Sequence, residues 1–273
     1  MPASLDQIVA ATRLRVAETL RSADVGELER RAQEHIPRGF RHALESRGSA
    51  GRPAIIAELK KASPSRGLIR ADFDPEKLGR ELQEAGAAAL SVLTDAQFFQ
   101  GSLENLRRAS DSTQCPCLRK DFIVDELQIV EARASRADAI LLIVAALAQP
   151  ELVKLSRRAA ESGLDVLCEV HDEEELRRAE DAGCGLIGVN SRDLRSFNVD
   201  LQTAFRLAQM LPRGATAVAE SGIHSAADIA QLFAAGYRAF LIGEFLMKAA
   251  SPGDALRRLL AEATQPASGQ EMG

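Results

Sequence analysis

A short junction recurs along this 273-residue chain, and it restricts the fold more than any other feature. It reads Glu84-Ala85-Gly86, Glu161-Ser162-Gly163, Asp181-Ala182-Gly183 and Ala234-Ala235-Gly236. Each glycine follows a segment with helical apolar spacing and precedes a short apolar run. A glycine just past a helix end adopts the left-handed conformation without steric cost. Each junction therefore reads as helix, stop, strand, and four of them predict a repeated βα unit.

The apolar runs are Ala54–Leu59, Ala88–Leu93, Pro116–Leu118, Ala139–Val144, Val166–Val170, Leu186–Val189, Thr216–Ala219 and Ala239–Ile242. Segments of helical length separate them. Runs apolar on both faces mark strands covered on both sides, as in a parallel sheet. Eight such units predict an α/β fold, a closed (β/α)8 TIM barrel, with a doubly wound open sheet as the alternative. With no Trp, one Tyr and ten Phe, the core must be built from Leu, Ile, Val and Ala, which suits a barrel filled by layers of branched side chains.

A single domain is expected over residues 1–273: an N-terminal helical extension (1–50), the barrel (51–264) and a frayed tail (265–273). Ser4 and Gln7 have capping-box spacing, and Leu5, Ile8, Val9, Thr12, Val16 and Leu20 follow one helical face. A second, charge-rich helical stretch runs from about Val25 to Ala43.

The formal net charge of -5 gives no general pull towards nucleic acid, although a local cationic pocket could still hold a small anion. Cys115, Cys117, Cys168 and Cys184 form no C-x-x-C pair and read as reduced, buried, small apolar residues. No apolar leader core or membrane-length run stands out, so a soluble cytoplasmic protein without membrane contact is expected. A monomer is the expected state, with a weak dimer as the alternative.

In a (β/α)8 barrel the site forms where strands end and βα loops begin. The ends here are Glu58-Leu59-Lys60, Thr94-Asp95, Arg119-Lys120-Asp121, Glu169-Val170-His171, Asn190-Ser191-Arg192, Glu220-Ser221-Gly222 and Gly243-Glu244. Only the fourth strand, running into Val144-Ala145, ends apolar. Any one of these residues could be a solvated surface ion, but seven polar ends out of eight point to a site. Strand side chains alternate, so Glu58 and Lys60 face one way, as do Asn190 and Arg192.

Glycines at Gly222 and Gly243, and a short helix from Glu244 to Ala249, suit an anion on backbone N–H groups. The loop Lys61-Ala62-Ser63-Pro64-Ser65-Arg66-Gly67 is also phosphate-friendly. Of His35, His42, His171 and His224, only His171 lies near a strand end, where it reads as a supporting or loop residue. No metal motif is present, and no metal or cofactor is expected. Lys60, Arg119, Lys120 and Arg192 are expected to converge on the mouth, where mutual repulsion would lower a lysine pKa. A glutamate raised by burial would then shuttle protons opposite it.

At these residues the chain resembles the indole-3-glycerol phosphate synthase family. The matching stretches include Glu58-Leu59-Lys60-Lys61-Ala62-Ser63-Pro64-Ser65, Ser91-Val92-Leu93-Thr94-Asp95 and Leu118-Arg119-Lys120-Asp121-Phe122-Ile123. They continue with Cys168-Glu169-Val170-His171, Asn190-Ser191-Arg192-Asp193-Leu194, Ala219-Glu220-Ser221-Gly222-Ile223 and Leu241-Ile242-Gly243-Glu244. Phe245 and Cys117 depart from the family pattern, and neither is expected to touch the chemistry.

The resemblance implies conversion of 1-(2-carboxyphenylamino)-1-deoxyribulose 5-phosphate to indole-3-glycerol phosphate, with loss of carbon dioxide and water and no cofactor. It implies that Lys120 is the acid in ring closure, Glu169 the base or proton relay, and Lys60 the partner of the substrate carboxylate. Glu58 and Asn190 would orient the lysines and hydroxyls, Glu220 would line the mouth, and Arg192 would add positive field. Ser63, Ser221, Gly222, Gly243 and the Glu244 backbone would hold phosphate, and Phe99, Phe122 and Leu142 would wall the aromatic ring. The competing readings are a sugar-phosphate isomerase, a Schiff-base aldolase and a non-catalytic phosphate-binding barrel.

Overall fold

The computed structural model of the chain describes residues 4–193 and 198–263. Its eight principal strands are β1 (Ala54–Leu59), β2 (Ala89–Leu93), β3 (Cys117–Lys120), β4 (Ala139–Ile143), β5 (Asp165–Val170), β6 (Leu186–Asn190), β7 (Thr216–Glu220) and β8 (Ala239–Ile242). Neighbours pair in parallel, in sequence order, and β8 closes the barrel against β1. A small antiparallel hairpin, Ala62–Ser63 against Gly67–Leu68, follows β1.

Several strands run beyond their last apolar residue. Lys120 pairs with Leu93, and Asn190 pairs with Glu220, so these polar side chains stand on the barrel's rim rather than in loops. An apolar run stops at the first polar residue, whereas the hydrogen-bonded ladder does not.

Alternation divides the core. Ile56, Leu118, Leu141, Leu167, Leu186, Val218 and Leu241 point inward and pack together. Ile55, Ala57, Leu90, Ile140, Leu142, Cys168, Ile187 and Val189 pack in the layer between strands and helices. Phe40 and Leu44, both fully buried, join the inner cluster from outside the sheet. The junction glycines hold the expected left-handed conformation, with φ of 99° at Gly86, 71° at Gly163, 75° at Gly183 and 117° at Gly236.

The N-terminal extension contains α1 (Leu5–Ser22), α2 (Val25–Glu34) and α3 (Phe40–Ser49). The Ser4–Gln7 capping box is present, and Ile8, Thr12 and Val16 are its buried face. The single stretch expected over Val25–Ala43 is instead two helices. Pro37, which has no N–H to offer, and Gly39, at φ 76°, lie in the break. The break docks on Asp138, whose carboxylate takes the Arg38 backbone N–H at 2.7 Å, the Cys117 N–H at 2.6 Å and lies 3.2 Å from His35 Nε2.

The cysteine expectation is corrected in half. Cys115 and Cys117 are free and buried, but Cys168 and Cys184 form a disulfide with Cα atoms 6.4 Å apart. Cys168 faces the helices, and the chain returns past Gly183 to bring Cys184 against it. No helix among the described residues is long and apolar enough to cross a membrane. The expected tail, 265–273, lies outside the described residues.

Candidate active site

The inward side chains change character as each strand rises. On β1 the inward pair is Ile56 then Glu58; on β3, Leu118 then Lys120; on β5, Leu167 then Glu169; on β7, Val218 then Glu220. The apolar members close the core beneath, and the polar members floor a cavity of about 450 Å³.

Lys120 Nζ lies 2.9 Å from Glu169 Oε2 and 3.7 Å from Glu220 Oε2. Lys60 Nζ lies 2.6 Å from Glu58 Oε1, so the predicted common orientation of that pair holds. Asn190 lines the same cavity, and its side-chain oxygen accepts the Arg192 N–H at 3.0 Å. Ser63, Arg192, Ser221, Gly222, Gly243, Glu244, Phe99 and Phe122 are also on its wall. The two phenylalanine rings face each other at 6.2 Å between centroids. Ser221 and Gly222 have consecutive positive φ, 64° and 78°, so the turn after β7 departs from extended backbone beside the mouth. The helix Glu244–Lys248 starts at the same rim.

Two expectations are corrected. Leu142 does not wall the cavity: it points outward into the strand–helix layer, and Leu141 and Ile143 take the inner face. Strand alternation decides this, because residues one apart on β4 face opposite sides. Arg119 does not converge on the mouth, for the same reason. Its guanidinium is buried outside the barrel, 3.0 Å from Asp121 and 2.6 Å from the Gln128 carbonyl. Phe245 also lines the wall.

Electrostatics differ from the expectation as well. Lys120 loses hydration on burial, but the charges of Glu169, Glu220 and Glu58 outweigh that, so its pKa is raised rather than lowered. Glu169, buried too, is held well below the usual carboxylate range by Lys120 and His171. Glu220 goes the other way. Burial and the Glu169 and Glu58 charges push it up to about 8, against the pull of Lys120. The glutamate raised by burial is thus Glu220. Its Oε1 is buried without a hydrogen-bond partner and lies so close to Gly188 that a Cβ there would overlap it.

The sequence reading missed the contribution of the extension. Leu5 and Ile8 of α1 reach the cavity wall. Arg15, one helical face along, donates to Asp95 at 2.9 Å and lies 3.5 Å from Asp121, next to Lys120. The signal was the polar residue placed near the apolar stripe of α1, which periodicity alone assigns to solvent. Among the described residues, no three His, Cys, Asp or Glu side chains are grouped as a metal ion would need.

A closed parallel barrel with paired lysines and glutamates on the rim of its strands is the framework of an acid–base enzyme. Over residues 5–259 the chain matches the family model described as indole-3-glycerol phosphate synthase. It is 59% identical over 260 residues to an indole-3-glycerol phosphate synthase of Koribacter versatilis (strain Ellin345), covering 95% of this chain and 100% of that one. It is 48% identical to the enzyme of that name from Burkholderia vietnamiensis (strain G4 / LMG 22486), covering 93% and 98%. The chain belongs to the indole-3-glycerol phosphate synthase family, carboxy-lyases of tryptophan biosynthesis.

Solved structures extend the likeness to the fold alone. Thiamine phosphate pyrophosphorylase from Pyrococcus furiosus superposes with a TM-score of 0.58 at 17% identity, covering 77% of this chain and 95% of that one. Orotidine 5'-phosphate decarboxylase from Pyrococcus horikoshii OT3 gives 0.59 at 11% identity, covering 78% and 100%.

Proposed function

We propose that this chain, working as a single-domain cytoplasmic monomer, closes the indole ring of 1-(2-carboxyphenylamino)-1-deoxyribulose 5-phosphate, releasing carbon dioxide and water. The observation that carries this reading is Lys120 beside Glu169 and Glu220 at the floor of a cavity walled by Phe99 and Phe122.

The substrate brings a phosphate, a carboxylate and an aromatic ring. Ser63, the Ser221–Gly222 turn, Gly243 and the Glu244 backbone take the phosphate, with Arg192 adding positive field. Phe99 and Phe122 flank the ring, while Lys60, steered by Glu58, takes the carboxylate. As the carboxylate-bearing ring carbon attacks the ketone, the carbonyl oxygen becomes an alkoxide. An alkoxide is basic enough to take a proton from Lys120 even with the lysine pKa raised. Loss of carbon dioxide returns its bonding electrons to the ring. The new hydroxyl then leaves as water after protonation by Lys60, Lys120 having already given up its proton; the ring nitrogen lone pair expels it and becomes cationic. The carbon beside the cationic nitrogen releases a proton to Glu169, completing the indole. Asn190 orients the hydroxyls, and Glu220, 3.7 Å from the Lys120 ammonium, backs the lysine beside Glu169.

The test is turnover of that substrate by the purified protein. Because the chain has no Trp, indole fluorescence of the product rises on a dark background. An inert wild-type protein refutes the reading.

A further inference from the structure

One partly buried titratable side chain has no part in the steps above. His171 directly follows β5, and it is absent from the cavity wall. Its Nε2 lies 3.4 Å from Glu169 Oε1, while Lys120 holds Oε2 of the same carboxylate. Its Nδ1 lies 2.9 Å from Glu175 Oε2, and Glu175 also accepts the His171 backbone N–H at 2.8 Å. Glu175 sits in the first turn of the helix Glu173–Asp181, so the ring is gripped from that helix and faces the active centre.

The arrangement favours the charged ring. A neutral imidazole has one N–H and one lone pair. With the proton on Nδ1, the Nε2 lone pair would face the Glu169 carboxylate. With the proton on Nε2, the Nδ1 lone pair would face Glu175. Only the imidazolium presents a proton to both anions. The 3.4 Å separation is an ion-pair distance rather than an aligned hydrogen bond, and Nε2 is buried without another partner.

We propose that His171 is a positioning residue. As a permanent cation wedged between Glu169 and Glu175, it keeps Glu169 ionised and turned towards Lys120. The inference rests on the function proposed above.

The charged groups around the pair agree with this assignment. Lys120 from β3 and Glu220 from β7 both lie against Glu169, and Glu58 from β1 acts on the lysine. Arg178, on the same helix as Glu175, is turned away to the Val144 and Leu147 carbonyls. Burial alone would lower the His171 pKa, yet Glu169 and Glu175 raise it to about 10. That is far enough above neutrality for the ring to stay charged in the working range.

Two measurements test the proposal. In 15N-histidine NMR, His171 of the wild-type protein should still be an imidazolium at pH 8, where ordinary histidines are neutral. In Glu175→Gln its titration should fall by about 1–3 units. In turnover assays, His171→Gln should lower kcat at least about tenfold with KM within about twofold, because the ring touches Glu169 and not the cavity. For Glu175→Gln, the ratio of kcat at pH 9 to kcat at pH 7 should drop at least about threefold relative to wild type, following the NMR titration. A neutral wild-type His171 at pH 8 overturns the proposal. So does full kcat in His171→Gln, or a Glu175→Gln loss that is equal at both pH values. If the wild-type protein were inert towards the substrate, the proposed function would fall, and the NMR titration would still decide the charge on His171.

Discussion

Replacing Glu220 by glutamine should stabilise the protein, and the gain should depend on pH in a defined way. Glu220 is buried, with its carboxyl raised from an ordinary 4.5 to about 8. Between those values the unfolded chain has released the proton and the folded chain has kept it. The folded state therefore binds more protons, and stability falls as pH rises through this window. Below pH 4.5 the contribution is fully favourable, and above pH 8 the loss is complete. At about 1.36 kcal/mol per unit, the loss is near zero at pH 4 and grows to the order of a few kcal/mol by pH 8, above which it levels off. Glu220→Gln removes the titrating group and keeps a donor where the neutral acid has its O–H. The variant should match wild type near pH 4 and exceed it increasingly towards pH 8. Urea denaturation followed by far-ultraviolet circular dichroism at pH 5, 7 and 8.5 measures this directly. The same variant should lose activity chiefly above about pH 8, where the wild-type carboxyl is ionised and its charge on Lys120 is removed by the substitution. A variant less stable than wild type at pH 8, or a difference that does not change with pH, would refute the reasoning.

Other consequences are simpler to state. Gly188→Ala places a methyl group on Glu220 Oε1 and should cut kcat/KM by about 10–100-fold in steady-state assays, with the fold intact by circular dichroism. Phe40→Ala empties a fully buried position in the inner core. It should cost about 3–5 kcal/mol in denaturant titrations, with KM of the remaining folded enzyme unchanged. Arg15→Gln should weaken catalysis more than stability, because the guanidinium joins the Asp95 and Asp121 loops beside the site; kcat/KM should fall about tenfold.

Local chemistry made the barrel legible. The glycines at Gly86, Gly163, Gly183 and Gly236 need left-handed backbone, and the runs between them are apolar on both faces. The polar strand ends were equally legible, since each interrupts an apolar run. Which way some of them point was not. Arg119 and Leu142 were read into the site, although each stands one residue from a group that does face it, and alternation would have turned both outward. The charge state of the lysine was out of reach for a different reason. A list of mouth cations suggests repulsion, but Lys120 meets three glutamates that come from three separate strands. The break at Pro37 is visible in the sequence as a proline within a helical pattern. The Arg15 link and the Cys168–Cys184 bond depend on how the extension and the βα layers pack, which no local pattern encodes.

The central claim is that Lys120 supplies the proton for ring closure while Lys60 holds the substrate carboxylate. Steady-state turnover of Lys120→Ala and Lys60→Ala, followed by indole fluorescence, tests it most directly. The account predicts that Lys120→Ala loses kcat by about 10²-fold or more with KM little changed, and that Lys60→Ala raises KM as well as lowering kcat. Near-normal turnover by Lys120→Ala would contradict it.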